Sequence, residues 1–372
     1  MRGIISPKLE GFLEQANVAI AEGKRNQVEF TPSLIRGNLN KLAAFMTSSP
    51  EIAFIEDRFL KFEGRELKVR VYSPAPNEKL PIILHFHGGG HMCGSVELYD
   101  PISRNLAAAA HSVVICVEYR LAPEHPYPAA IHDCQHALIN YKQVLGNVCH
   151  NNIVAIVGDS AGGAICTTLA MNGLKNSAIK IDKQILIYPS VDYTMSCPSV
   201  QSNGKGFLLE QDKMRWYFQQ YFQQSFGGNS AQSLKGSIEK CVEQDIRASV
   251  ERSDGHSFGE SANHNLRSSW DDHPNLNFDE HSGRAVQHEE LIKKASPLYG
   301  PFSKAMPETL IITAGCDPLR DEGQAYANAL SDAGIQVQHH QFDGMIHAYM
   351  LLHELVKDEC NHTYHLIAKF MN

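Results

Sequence analysis

Ser160 stands in the run Gly158-Asp159-Ser160-Ala161-Gly162-Gly163, and this stretch carries the chemistry most legible in the chain. The apolar, branched residues Ile153 to Val157 before it read as a strand, and the small and apolar residues after it read as a helix. A serine at so sharp a strand-to-helix turn takes a strained backbone. Glycines two places before and after it remove the Cβ atoms that would clash as strand and helix cross. The hydroxyl is thereby lifted clear of the sheet, and the helix N-terminus beyond it favours developing negative charge. A serine hydroxyl is a weak nucleophile near neutral pH and needs a base, with a third group orienting that base. Among nineteen histidines, His347 is distinguished by place: it follows the last expected strand, on the sheet edge that carries Ser160. Asp317 follows the preceding strand on that edge. Asp321, a helical turn further on, is the rival acid and reads as a helix-surface carboxylate, while Asp343 reads as a turn former. Gly88, Gly89 and Gly90 follow another strand and leave backbone N–H groups unshielded. With the N–H of Ala161, they can stabilise the negative oxygen of a tetrahedral intermediate. Neither a G-x-G-x-x-G opening a helix nor a G-x-x-x-x-G-K-[ST] run is present, which disfavours nucleotide binding. His87 reads as a residue that holds the glycine loop.

These residues must be positioned by an alternation of strands and helices. Apolar residues at helical spacing over 7–22 and 32–46 predict two amphipathic helices. The runs Ile52 to Phe62 and Leu67 to Tyr72, separated by Glu63-Gly64-Arg65, predict a hairpin. Ile82 to Phe86, Val113 to Glu118, Gln184 to Tyr188 and Thr309 to Thr313 are buried strands, with one more over 335–342. Helices are expected at 102–110, 129–145, 207–226 and 322–333, and from Asp343 to about Phe370. Three prolines in Tyr119 to Ala130 predict an ordered loop. Strands and helices alternating in this way imply an α/β fold, parallel strands with crossover helices on both faces. From 227 to 290 the chain turns polar and loses its period, which predicts an insertion, partly disordered or a small irregular subdomain. The resulting division is N-terminal helices over 1–50, core over 51–200, a helical segment over 201–226, the insertion over 227–290 and core again over 291–372.

Composition excludes other classes. A net charge of -8 argues against a nucleic-acid surface, which needs clustered Lys and Arg. The nine cysteines are scattered with no C-x-x-C pair and read as buried free thiols in a reducing compartment. No charged segment followed by an apolar core opens the chain, and no run of about 18 apolar residues occurs. The expectation is therefore a soluble, cytoplasmic protein without stable membrane insertion. His256, His264, His273, His281 and His288 of the insertion lack ligand spacing, so no metal site is expected there.

HFHGGG at 85–90, YRLAPEHPYPAA at 119–130, GDSAGG at 158–163, DPLRD at 317–321 and G-x-x-H at 344–347 together resemble the hormone-sensitive-lipase-like family of α/β-hydrolases. The order Ser160, Asp317, His347 is the order of that fold. The resemblance implies an eight-stranded, mostly parallel sheet with helices on both faces. It implies a cap built from the N-terminal helices and the segment after the sixth strand. It implies carboxylesterase activity on small-molecule esters of short to medium acyl chains. Ser160 would be nucleophile, His347 base and Asp317 acid, with Gly88, Gly89, Gly90 and Ala161 around the oxyanion hole and no cofactor. Many such proteins form homodimers, often through the last strand. A deacetylase or amidase on the same machinery is the alternative, and a small-molecule receptor on this fold is the non-enzymatic one. Two features depart from the family pattern: the insertion, and His91-Met92-Cys93 where an aromatic or aliphatic residue is more usual.

Overall fold

The computed structural model describes residues 1–223 and 290–372. The expected insertion at 227–290, with its five histidines, lies outside the described residues but for residue 290. Eight strands form one sheet in the order β1-β2-β4-β3-β5-β6-β7-β8. They are β1 (Phe54–Phe62), β2 (Arg65–Ser73), β3 (Leu80–Phe86), β4 (Val113–Val117), β5 (His150–Asp159), β6 (Lys183–Ile187), β7 (Glu308–Cys316) and β8 (Val337–Ile346). β1 and β2 pair antiparallel, as do β2 and β4, and every other neighbour pair is parallel. The hairpin turns at Glu63 and Gly64, both at positive φ, the geometry a two-residue connection needs to follow the strand twist.

The central strands are largely apolar because both faces are covered. Alternate residues face opposite ways. Ile83, Val114, Ala155, Ile185 and Leu310 pack with Leu106 of α3 (Asp100–Ala109) and Ile367 of α9 (Lys357–Met371). Ile82, Ile115, Ile156, Leu186 and Ile311 pack with α4 (Ala129–Asn140), α5 (Ala161–Gly173) and α8 (Arg320–Asp332). Shifting any central strand by one residue would exchange these two cores, so the register is strongly specified.

The chain's first helices, α1 (Pro7–Arg25) and α2 (Pro32–Asn40), each begin at a proline preceded by a hydroxyl cap, Ser6 and Thr31. α1 lays Leu9 and Leu13 on the sheet core. α2 places Ile35 among Tyr217, Tyr221 and Phe222 of α7 (Gln211–Phe222). The short α6 (Pro198–Ser202) lies between β6 and α7.

Three expectations are corrected. The helix read over 32–46 is α2 followed by a 3₁₀ turn at Lys41–Phe45. The helix read over 207–226 begins only at Gln211, because Gly206 and Leu208 both hold positive φ and so cannot lie in a right-handed helix. Strand β8 runs on through Asp343 to Ile346, so Asp343 is a strand residue and not a turn former. The ladder with β7 shifts register between Ala314 and Cys316, and this bulge lets the strand continue. At that point a Cβ on Gly315 would lie 2.2 Å from the Asp343 oxygen, so only glycine permits the approach.

Candidate active site

The turn between β5 and α5 holds Ser160 at φ 53°, ψ −118°, a conformation that costs a non-glycine residue on the order of 1–3 kcal/mol. Hydrogen bonds on both sides pin it there: its N–H donates to the Ile187 oxygen at 2.9 Å, and its carbonyl accepts from Ser190 at 3.0 Å. The flanking glycines are required by space. A Cβ on Gly158 would stand 2.2 Å from the Gly162 oxygen, and one on Gly162 only 1.8 Å from the Phe86 oxygen at the end of β3. The serine turn and the glycine loop are thus in backbone contact.

Strands β7 and β8 carry the other two groups to the same edge. His347 follows β8 directly, ahead of Ala348 in the left-handed region and a 3₁₀ turn at Tyr349–Leu352. Its Nε2 lies 2.9 Å from Ser160 Oγ and its Nδ1 2.8 Å from Asp317 Oδ2. A carboxylate only accepts, so Nδ1 carries the proton, Nε2 is the acceptor and the serine hydroxyl donates to it. The other Asp317 oxygen accepts from Leu319 N–H at 2.8 Å. All three residues are buried, and the Tyr188 ring packs edge-on against the imidazole at 4.9 Å between centroids. Asp321 is elsewhere, its carboxylate accepting from Arg320 at 2.7 Å.

The glycine loop after β3 is held as a structure of its own. Gly89 and Gly90 have φ of +118° and +63°, open only to glycine at low cost. The Gly89 oxygen accepts from Met92 and Cys93. Among the described residues, the N–H groups of Gly89, Gly90 and Ala161 have no protein acceptor. Gly88 differs from the other three expected donors. Its N–H donates to Asp159 Oδ1 at 2.7 Å, so it ties the loop to the serine turn instead of remaining free.

Asp159 is a residue of the site that the sequence reading passed over, although it sits inside the serine motif. Its second oxygen accepts from the Tyr99 hydroxyl at 3.1 Å, and burial raises its pKa to about 6. His87 holds the loop as expected: its Nδ1 lies 2.8 Å from the Gly88 oxygen, and its ring stacks on Tyr119 at 4.3 Å. Burial lowers its pKa to about 4, so the ring is neutral near pH 7.

His91-Met92-Cys93 is buried in full. The His91 ring lies flat on Tyr221 at 3.8 Å, with Nε2 2.8 Å from the Tyr193 hydroxyl. Burial lowers its pKa to about 3, so it packs as a neutral aromatic. Arg36 of α2 donates to the Met92 and Ala122 oxygens and pairs with Glu124 at 2.6 Å. Tyr217 of α7 lies so close over Gly90 that a Cβ there would be 2.9 Å from its ring. Helices α2 and α7 therefore roof the glycine loop. Neither Arg36 nor Tyr217 carries a local motif that could have revealed this.

Among the described residues no group of His, Cys, Asp and Glu could hold a metal ion, and no helix is long and apolar enough to cross a membrane. The sequence pattern of the α/β-hydrolase fold matches residues 83–241 and 278–351. Ethyl acetate hydrolase of Pseudomonas putida is 27% identical over 374 residues, 95% of this chain and 94% of that protein. Arylacetamide deacetylase of Bos taurus is 28% identical over 331 residues, 83% of this chain and 77% of its own. The solved esterase of Pyrobaculum calidifontis superposes with a TM-score of 0.71 at 26% identity, covering 99% of this chain and 98% of that one.

Proposed function

Because the chain belongs to the α/β-hydrolase fold family, as a hormone-sensitive-lipase-like serine ester hydrolase, we propose that it is a carboxylesterase for short to medium acyl esters, working through Ser160, His347 and Asp317. The observation that carries this reading is the hydrogen-bonded chain Ser160–His347–Asp317 beside three backbone N–H groups that have no acceptor among the described residues. Ser160 Oγ attacks the ester carbonyl while His347 Nε2 takes its proton. The carbonyl oxygen, now negative, is stabilised by the N–H groups of Gly89, Gly90 and Ala161 and by the start of α5. Collapse breaks the ester C–O bond as His347 returns the proton to the leaving alcohol. Water then attacks the acyl-enzyme with the roles reversed. Asp317 holds the imidazole in the required tautomer and stabilises its cation. Gly88, with Asp159, anchors the loop that bears the donors.

The residues over 1–50 and 201–223 act as the cap, a reading supported by Arg36 and Tyr217 on the glycine loop. The eight described cysteines are all free, which fits a reducing compartment. Hydrolysis of p-nitrophenyl esters from acetate to palmitate, run beside Ser160→Ala, tests the function. A maximum at short chains that vanishes in the variant is expected, and substantial turnover by folded Ser160→Ala rejects Ser160 as nucleophile. The likeness to a deacetylase favours one second reading, amide cleavage by the same residues. Matched acetate and acetanilide substrates separate the two, since an ester preference of several orders of magnitude rejects the amidase.

A further inference from the structure

The turn that carries Asp317 is held from behind by one amide and by the start of the chain. Asn203, fully buried at the end of α6, donates through Nδ2 to the main-chain oxygens of Gly315 at 3.1 Å and Asp317 at 3.0 Å. Its Oδ1 accepts from the N–H of Gly3 at 3.0 Å. Both amide protons and the carbonyl are thus in use. Gly3 lies hard against the same turn: a Cβ there would stand 2.5 Å from the Gly315 oxygen and 2.7 Å from Cys316 Sγ. Three residues on, the Ser6 N–H donates to the Gly344 oxygen at 3.0 Å, just ahead of His347. Ser199 of α6 adds a bond from its hydroxyl to the Pro318 oxygen at 2.6 Å and accepts from Asp321 N–H at 3.1 Å. One strap, residues 3–6 with α6, therefore touches both the acid turn and the strand end that delivers the base.

We propose that Asn203 is a positioning residue for the reaction, setting Asp317 against His347 through the main chain of residues 315–317, with Gly3 completing the support. This rests on the reading of Ser160, His347 and Asp317 as the catalytic residues. Among the described residues, the Asn203 side chain bonds to no element other than the acid turn and the strap. Its loss takes one donor from each of two main-chain oxygens, leaving Gly315 only Arg320 Nη1 at 3.3 Å and Asp317 only the Arg320 N–H at 3.2 Å, and loosens the turn. A misplacement of about 1 Å at a reacting group costs on the order of 100-fold.

The test is Asn203→Ala in the full chain, assayed with p-nitrophenyl butyrate across pH. The expected result is a fall in kcat of about 10- to 100-fold with KM nearly unchanged. A less well placed Asp317 stabilises the imidazolium less, so the acidic limb of kcat/KM moves to lower pH. Gly3→Ala displaces the strap while keeping the Asn203 side chain and its two bonds to the acid turn, and keeps the idea testable if Asn203→Ala does not fold. It should shift the same limb, and the double variant should lose less than the product of the singles, because the two residues share a hydrogen bond. Wild-type kcat and pH profile in folded variants, with only thermal stability lowered, would overturn the proposal. Labelling the wild type with a serine-directed fluorophosphonate separates the two failures. A wild type neither labelled nor active sinks the catalytic reading itself; a labelled, active wild type with unchanged variants sinks only the positioning role.

Discussion

Replacing Asp317 by asparagine tests the catalytic chain at its most specific point. The carboxylate is held from two directions, Oδ2 by His347 Nδ1 and Oδ1 by Leu319 N–H, both at 2.8 Å. In the asparagine variant, the Leu319 N–H still needs an acceptor, so the amide oxygen turns to it and the NH₂ group faces the imidazole. Nδ1 must then accept, the ring proton moves to Nε2, and Nε2 can no longer take the proton of Ser160. The same exchange in a serine protease triad lowers kcat by about 10⁴, or about 5.5 kcal/mol at about 1.36 kcal/mol per tenfold. The expected result is a loss of that order in kcat for p-nitrophenyl acetate, with KM and thermal stability close to wild type, because side-chain volume is conserved. Asp321→Asn, whose carboxylate faces Arg320, should stay within about twofold of wild type. A folded Asp317→Asn enzyme within about tenfold of wild type would refute the reasoning, and a large loss in Asp321→Asn would transfer the acid role.

Gly162→Ala drives a methyl to 1.8 Å from the Phe86 oxygen. Backbone on both sides blocks relief, so a cost above about 4 kcal/mol is expected, or a Tm lower by roughly 5 °C or more at about 1.3 °C per kcal/mol for a chain of this length. Gly23→Ala in α1, where nothing among the described residues lies within 4 Å, should instead gain up to about 1 kcal/mol, and thermal unfolding of both variants checks the contrast. Glu322 is buried, its Oε1 accepting from Val191 at 2.7 Å and Asp192 at 3.1 Å. Burial, and then the neighbouring Asp192, raises its pKa well above the usual carboxylate value. The folded state therefore binds a proton that the unfolded state releases, and its contribution is full below the unfolded pKa and is lost as pH rises toward the folded value. Glu322→Gln should flatten the fall in unfolding free energy above about pH 4 by up to about 1.4 kcal/mol per pH unit. Urea titrations across pH read this directly, and an unchanged slope would show that Glu322 is ionised in the fold.

Local pattern and spatial arrangement divided this protein cleanly. The alternation of buried strands and helices, the glycines about Ser160 and the placing of Asp317 and His347 after successive strands were legible in the sequence, because each depends on residues within a few positions of one another. Strand period, the steric demand of a tight turn and the parallel order of crossovers are enough to bring three distant residues to one sheet edge. The ends of elements were less legible. Helix 32–46 broke at Asn40, and β8 ran past Asp343, because a bulge against Gly315 and packing against other segments set those limits. What only the tertiary structure decided is the support of the site. Asp159 took the Gly88 N–H that was expected to face the reaction, Arg36 and Tyr217 covered the glycine loop, and Asn203 joined Gly3 to the acid turn. Each of these contacts joins residues dozens to hundreds of positions apart. No local pattern encodes such a partner, because a buried polar group finds it only once the sheet has assembled and water has been excluded.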